Sequence, residues 1–141
     1  MIDLYGRTID YLRVSITDRC NLRCRYCLPE GEETVAADPE RYLSADEILR
    51  VCRAAERIGI HKFKITGGEP LVRQDCLELI RRLKELPETE AVTLTTNGIL
   101  LQKALSELKR LSIDGINVSL DTLDDGLYSS LTGSPPGTAA L

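Results

Sequence analysis

The sequence predicts an α/β fold: one domain whose strands and helices alternate and pair as a parallel sheet or barrel. Three observations predict it. Short β-branched or apolar runs recur at about residues 12–17, 62–66, 92–96 and 115–121, with helical apolar spacing between them. Helical connections of a dozen or so residues favour parallel pairing with right-handed crossovers. Each strand also has one apolar side, to pack against helices, and one polar side, which a parallel sheet covered on both faces would lack. A barrel lumen holding a polar ligand accounts for this better than an antiparallel sheet facing solvent.

The first strand, Leu12 to Thr17, alternates Leu12, Val14 and Ile16 with Arg13, Ser15 and Thr17. Three cysteines follow, then a long segment from Leu28 to Leu43, of a length that loops usually reserve for function or mobility. Its acids Glu30, Glu32 and Glu33 read as a solvated loop. Ser44-Ala45-Asp46-Glu47 is a capping-box signature; Ile48, Val51, Cys52, Ala55 and Ile58 follow at helical spacing until Gly59 stops the helix. The second strand, Lys62 to Thr66, sets Phe63 and Ile65 against Lys62, Lys64 and Thr66. Leu77, Ile80, Leu83 and Leu86 mark a second helix, ended by Pro87. The third strand, Val92 to Thr96, opposes Val92 and Leu94 to Thr93, Thr95 and Asn97. Asn97-Gly98 reads as a β-α turn because Leu101, Leu105, Leu108 and Leu111 supply a third helix after it. The last strand, Gly115 to Asp121, opposes Ile116, Val118 and Leu120 to Asn117, Ser119 and Asp121. In α/β folds chemistry gathers at the carboxyl ends of strands, here Thr17, Thr66, Thr96 and Asp121.

Composition narrows the function classes. At 141 residues, 43% hydrophobic and 28% charged, the chain suits one soluble core and excludes a disordered tail. Eighteen basic against 22 acidic residues give a net charge of -4, so no global positive field exists for nucleic acid. No run of 18 apolar residues occurs, and the start Met1-Ile2-Asp3-Leu4 lacks the bases of a secretory signal; a cytoplasmic location away from membranes is expected. Five cysteines in such a chain point to metal binding, catalysis or burial rather than disulfides.

Cys20-x-x-x-Cys24-x-x-Cys27 presents three thiols from one loop after the first strand. A structural zinc site needs four ligands, and neither His61, a strand-edge residue, nor Cys52 or Cys76, which read as helix packing, is placed to complete one. Three cysteines are also one short of the set that ferredoxin-type clusters use, which leaves one iron for a non-protein ligand. Thr66-Gly67-Gly68-Glu69-Pro70 follows the second strand as a double-glycine turn.

These motifs resemble those of the radical S-adenosylmethionine (radical SAM) enzymes. The resemblance implies a partial, TIM-like (β/α)6 barrel of which about four units are present. It implies that Cys20, Cys24 and Cys27 ligate a [4Fe-4S] cluster whose remaining iron takes the amino and carboxylate groups of S-adenosylmethionine. One electron then cleaves the sulfonium bond to give a 5′-deoxyadenosyl radical. Tyr26, Gly68 and Ser119 match cofactor-contacting positions. The stretch from Tyr5 to Cys27, with Ile65 to Arg73, Thr95 to Gly98 and Asn117 to Asp121, is similar to the GTP 3′,8-cyclase family of molybdenum cofactor biosynthesis. That similarity implies GTP contacts at Arg13, Lys64 and Thr95, all on the polar strand faces, and cations suit a triphosphate. Lys64 stands where many relatives have Arg, and Leu28 where many have Met.

The implied reaction abstracts hydrogen from ribose C3′ of GTP and joins that carbon to guanine C8. Its low-potential cluster requires a flavodoxin- or ferredoxin-type electron donor. The family's members are more than twice as long, with a second cluster domain at the carboxyl end and scope for a homodimer. Residues 1–141 are therefore expected to be an incomplete radical SAM core domain, inactive alone and with an unpaired edge at its last strand. Another radical SAM enzyme and a non-catalytic iron-sulfur electron-transfer module are the alternatives.

Overall fold

A computed structural model of the chain describes residues 2–27 and 42–134. Leu28, Glu30, Glu32, Glu33 and most of the long segment lie outside the described residues. Along the chain come β1 (Tyr11–Ser15), α1 (Ala45–Glu56), β2 (Lys62–Thr66), α2 (Cys76–Lys84), β3 (Ala91–Thr96), α3 (Leu101–Arg110), β4 (Gly115–Val118) and α4 (Asp125–Thr132). A 3-10 turn, Pro70–Val72, precedes α2. The strands form one sheet in the order β1-β2-β3-β4, and every pair is parallel. This is the α/β alternation that the sequence predicts.

Local chemistry sets the helix ends. The Ser44 hydroxyl accepts the Glu47 N–H at 3.3 Å while the Glu47 carboxylate accepts the Ser44 N–H at 2.8 Å, a reciprocal capping box. At the other end of α1, Gly59 takes φ 88, its N–H donates to the Glu56 carbonyl at 2.9 Å, and Ile60 donates to Ala55 at 3.1 Å. That is a Schellman closure, which a glycine enters without steric cost. α3 closes the same way through Ser112, at φ 52, with Ile113 donating to Leu108 at 3.2 Å.

Ile48, Leu49, Cys52 and Ala55 of α1, with Leu79, Ile80 and Leu83 of α2 and Ala104 and Leu108 of α3, cover one sheet face. Phe63, Ile65, Val92 and Leu94 meet them from the central strands and are at most 1% exposed. Each such side chain contributes about 1.5–3 kcal/mol by leaving water. Cys52 and Cys76 pack here as expected, and burial pushes their thiols up to about 11 and about 12.

Several expectations are corrected. β1 ends at Ser15, because Thr17 Oγ1 accepts the Arg19 N–H at 3.1 Å and turns the chain. Val51, Ile58 and Leu105 are 50–55% exposed, since the buried stripes of α1 and α3 run through their neighbours. β4 stops at Val118, and Val118 and Leu120 are each 41% exposed rather than packed. The helix α4, which the apolar spacing does not locate, places Tyr128 and Thr132 against the cysteine loop, to which its Thr132 and Leu131 carbonyls are bonded.

Candidate active site

Parallel register stacks the polar strand face in layers. Arg13, Lys64 and Thr93 are lateral neighbours, and Ser15 pairs with Thr66 and Thr95 with Asn117 one pleat nearer the carboxyl ends. Lys62, one layer lower, is neutralised by Asp10 at 2.6 Å. Among the described residues Arg13 and Lys64 have no ion-pair partner, although the Lys64 ammonium lies 5.9 Å from the centre of the Tyr11 ring. Two adjacent cations without counter-ions among the described residues, with Thr95 beyond them, form a surface suited to an anion. Ser119 lies just past β4, its N–H donating to the Thr96 carbonyl at 2.9 Å as the last rung of the ladder.

The cysteine loop crosses above these layers. Leu22, 7% exposed, anchors it, and the Arg23 and Arg25 N–H groups donate to Thr132 and Leu131 at 2.8 and 3.0 Å. Cys20 and Cys24 are half-buried and Cys27 is exposed. Burial pushes the Cys24 thiol up, a hydrogen bond with Tyr26 pulls it back, and the nearby Cys27 and Cys20 push it up again. The Tyr26 hydroxyl donates to Asp121 at 2.5 Å, bridging the loop to the segment after β4. That bond, then the one with Cys24, raises the phenol well above its ordinary range and keeps it protonated.

Among the described residues no three His, Cys, Asp or Glu side chains converge as a ready-made metal cage. The donor chemistry nevertheless fits an iron-sulfur cluster: one loop carries three thiols, those of Cys27 and Cys20 lie near enough to Cys24 to push its thiol up, and no histidine joins them.

The double-glycine turn locks under the loop. Gly68 donates its N–H to the Thr17 carbonyl at 2.7 Å and Glu69 donates to that of Arg19 at 2.8 Å. A Cβ on Gly68 would fall 2.4 Å from the Arg19 carbonyl oxygen, so only glycine allows this approach. Glu69 is fully buried, and its carboxylate accepts the Thr96 hydroxyl at 2.8 Å, the Asn97 N–H at 2.7 Å and the Leu71 N–H at 3.1 Å. From there Asn97 Nδ2 reaches Asn21 Oδ1 at 2.8 Å and Cys20 Sγ at 3.7 Å. Sequence reasoning quoted Glu69, Asn97 and Asp121 within motifs but assigned them no role. The available signal was weak: an acid between a strand end and a proline also suits an exposed turn.

Fold and site together admit comparison with known proteins. Residues 14–139 match the profile of the Radical SAM superfamily. The chain belongs to that superfamily. Its members use a [4Fe-4S] cluster and S-adenosylmethionine. The chain is 50% identical over 132 residues to a Petrotoga mobilis protein named GTP 3′,8-cyclase, a match spanning 94% of this chain and 41% of that one. It is 47% identical over 139 residues to a Methanosarcina mazei protein named probable GTP 3′,8-cyclase, spanning 98% and 41%. The chain thus spans about 41% of the length of these curated relatives. Among solved structures, Streptococcus suis SuiB bound to S-adenosylmethionine superposes with a TM-score of 0.68 at 29% identity, covering 90% of this chain and 27% of SuiB. The partial barrel expected of a radical SAM protein is therefore the architecture found. No helix of the described residues is long and apolar enough to cross a membrane.

Proposed function

We propose that this radical SAM chain carries the cofactor and nucleotide sites of a GTP 3′,8-cyclase, which forms the C3′–C8 bond of a cyclic guanosine triphosphate for molybdenum cofactor biosynthesis. The observation that carries the reading is the lateral pair Arg13 and Lys64, two cations without ion-pair partners among the described residues, on the polar sheet face. Relatives named for GTP chemistry make a guanine nucleotide triphosphate the fitting anion.

Cys20, Cys24 and Cys27 would hold a [4Fe-4S] cluster through their sulfurs, and the cluster together with S-adenosylmethionine would supply one-electron reductive cleavage chemistry. The Gly68 backbone, Tyr26 and Ser119 orient S-adenosylmethionine. Tyr26 is held by Asp121, and its protonated phenol adds no second negative charge beside the thiolates. Arg13 and Lys64 bind phosphate oxygens; Arg can do so bidentately whereas Lys acts as a point charge. Thr95, one pleat nearer the cofactor end, offers a hydroxyl to the nucleotide. An electron donor of the flavodoxin or ferredoxin type supplies the reducing equivalent.

The test is GTP binding to the anaerobically reconstituted chain and its variants Arg13→Ala and Lys64→Ala. Each charge-assisted phosphate contact is worth about 1.5–3 kcal/mol, so each variant should weaken binding roughly 10- to 150-fold. Equal affinity in all three proteins would remove the triphosphate assignment.

A further inference from the structure

The amide of Asn97 is fixed from three directions. Its backbone N–H donates to the buried Glu69 carboxylate at 2.7 Å, and its side-chain Oδ1 accepts the Ile99 N–H at 3.1 Å. With oxygen committed to Ile99, Nδ2 must face the cysteine loop, where it meets Asn21 Oδ1 at 2.8 Å and Cys20 Sγ at 3.7 Å. The orientation of the amide therefore follows from its partners. The Glu69 end of this network is fully buried, so the donor rests on a rigid support rather than a free side chain.

Cys24 has its hydrogen bond with Tyr26, and Cys20 accepts two of its own. Its sulfur receives the Leu22 N–H at 3.4 Å and the Asn97 amide at 3.7 Å, the latter from a strand end 77 residues away. The Leu22 contact is local and would accompany any such turn. The Asn97 contact exists only because β3 ends beside the loop.

We infer that Asn97 is a positioning residue that sets the reduction potential of the cluster through an N–H···S hydrogen bond to Cys20. The inference rests on the reading above that Cys20 is a cluster ligand. Hydrogen bonds to ligand sulfur stabilise the more negatively charged, reduced cluster and so raise its potential. Asn97 would ease the entry of the electron that the chemistry requires.

The experiment compares the reconstituted full chain with Asn97→Ala and Asn97→Asp, following the reduced-cluster electron paramagnetic resonance signal as the solution potential is stepped. Asn97→Asp keeps the oxygen that caps Ile99 but cannot donate to sulfur when ionised, which separates the hydrogen bond from the turn. The expected order of midpoint potentials, from least to most negative, is wild type, Asn97→Ala, then Asn97→Asp, whose added charge further disfavours reduction. Equal potentials in the three proteins would overturn the inference. So would a wild type that loads its cluster beside two variants that load none, since Asn97 would then serve loop folding alone. A wild type that binds no cluster at the three loop cysteines would instead sink the cofactor reading, and this inference with it.

Discussion

Replacing Glu69 probes how a buried carboxylate secures the site. Glu69 is fully buried and accepts three hydrogen bonds, from Thr96, Asn97 and Leu71, at 2.7–3.1 Å. A hydrogen bond to a charged group contributes about 1.5–3 kcal/mol, and a buried donor left without a partner costs about 1–3 kcal/mol. Glu69→Ala orphans the Asn97 and Leu71 N–H groups and leaves a cavity, so a loss of about 3–5 kcal/mol is expected once relaxation and water entry offset part of the sum. Glu69→Gln preserves shape, but one end of its amide must face a donor with a donor, for a loss of about 1–3 kcal/mol. Urea unfolding of the metal-free chain under reducing conditions, followed by circular dichroism, gives both numbers. Two variants within about 0.5 kcal/mol of wild type would refute the view that this carboxylate ties the double-glycine turn to β3.

Three further outcomes follow from the structure. Ser112 holds φ 52 at the end of α3, and Ser112→Gly should raise stability by about 0.5–1 kcal/mol in urea melts whereas Ser112→Val should lower it. Burial would raise the Asp114 carboxyl, but Lys84 at 2.7 Å and the Val92 N–H at 2.6 Å outweigh it and hold it below its ordinary value. Because the folded value is depressed, this contribution is fully present above the unfolded value near about 3.9 and fades as pH falls through the folded one. The stability gap between wild type and Asp114→Asn should therefore be widest above about pH 4 and close on acidification. Brief alkylation of the native metal-free chain near neutral pH, read by mass spectrometry, should mark Cys20, Cys24 and Cys27 and spare Cys52 and Cys76, which are 0% and 1% exposed.

Much of the fold was legible because its signals are local. β2 lies where the alternation of Phe63 and Ile65 with three polar residues puts it, and the Ser44 capping box starts α1 at the next residue. That Arg13 and Lys64 share the polar face was legible in the strand alternation; the register that makes them lateral neighbours was not, because a period of two fixes the face and not the offset. What stayed hidden depends on partners distant in sequence. Glu69 meets Thr96 and Asn97 27 and 28 residues away, and Tyr26 meets Asp121 across 95, so neither contact leaves a periodic trace. α4 escaped because its buried positions, Tyr128 and Thr132, are amphipathic and serve the cysteine loop rather than the sheet.

The central claim is that the three loop thiols bind an iron-sulfur cluster and leave one iron to S-adenosylmethionine. Electron paramagnetic resonance of the anaerobically reconstituted, reduced chain tests it most directly, recorded before and after S-adenosylmethionine is added. The account predicts a [4Fe-4S] signal whose shape changes on addition and which is absent when Cys20, Cys24 and Cys27 are all replaced by serine. A signal indifferent to S-adenosylmethionine, or one that survives the triple replacement, would contradict it.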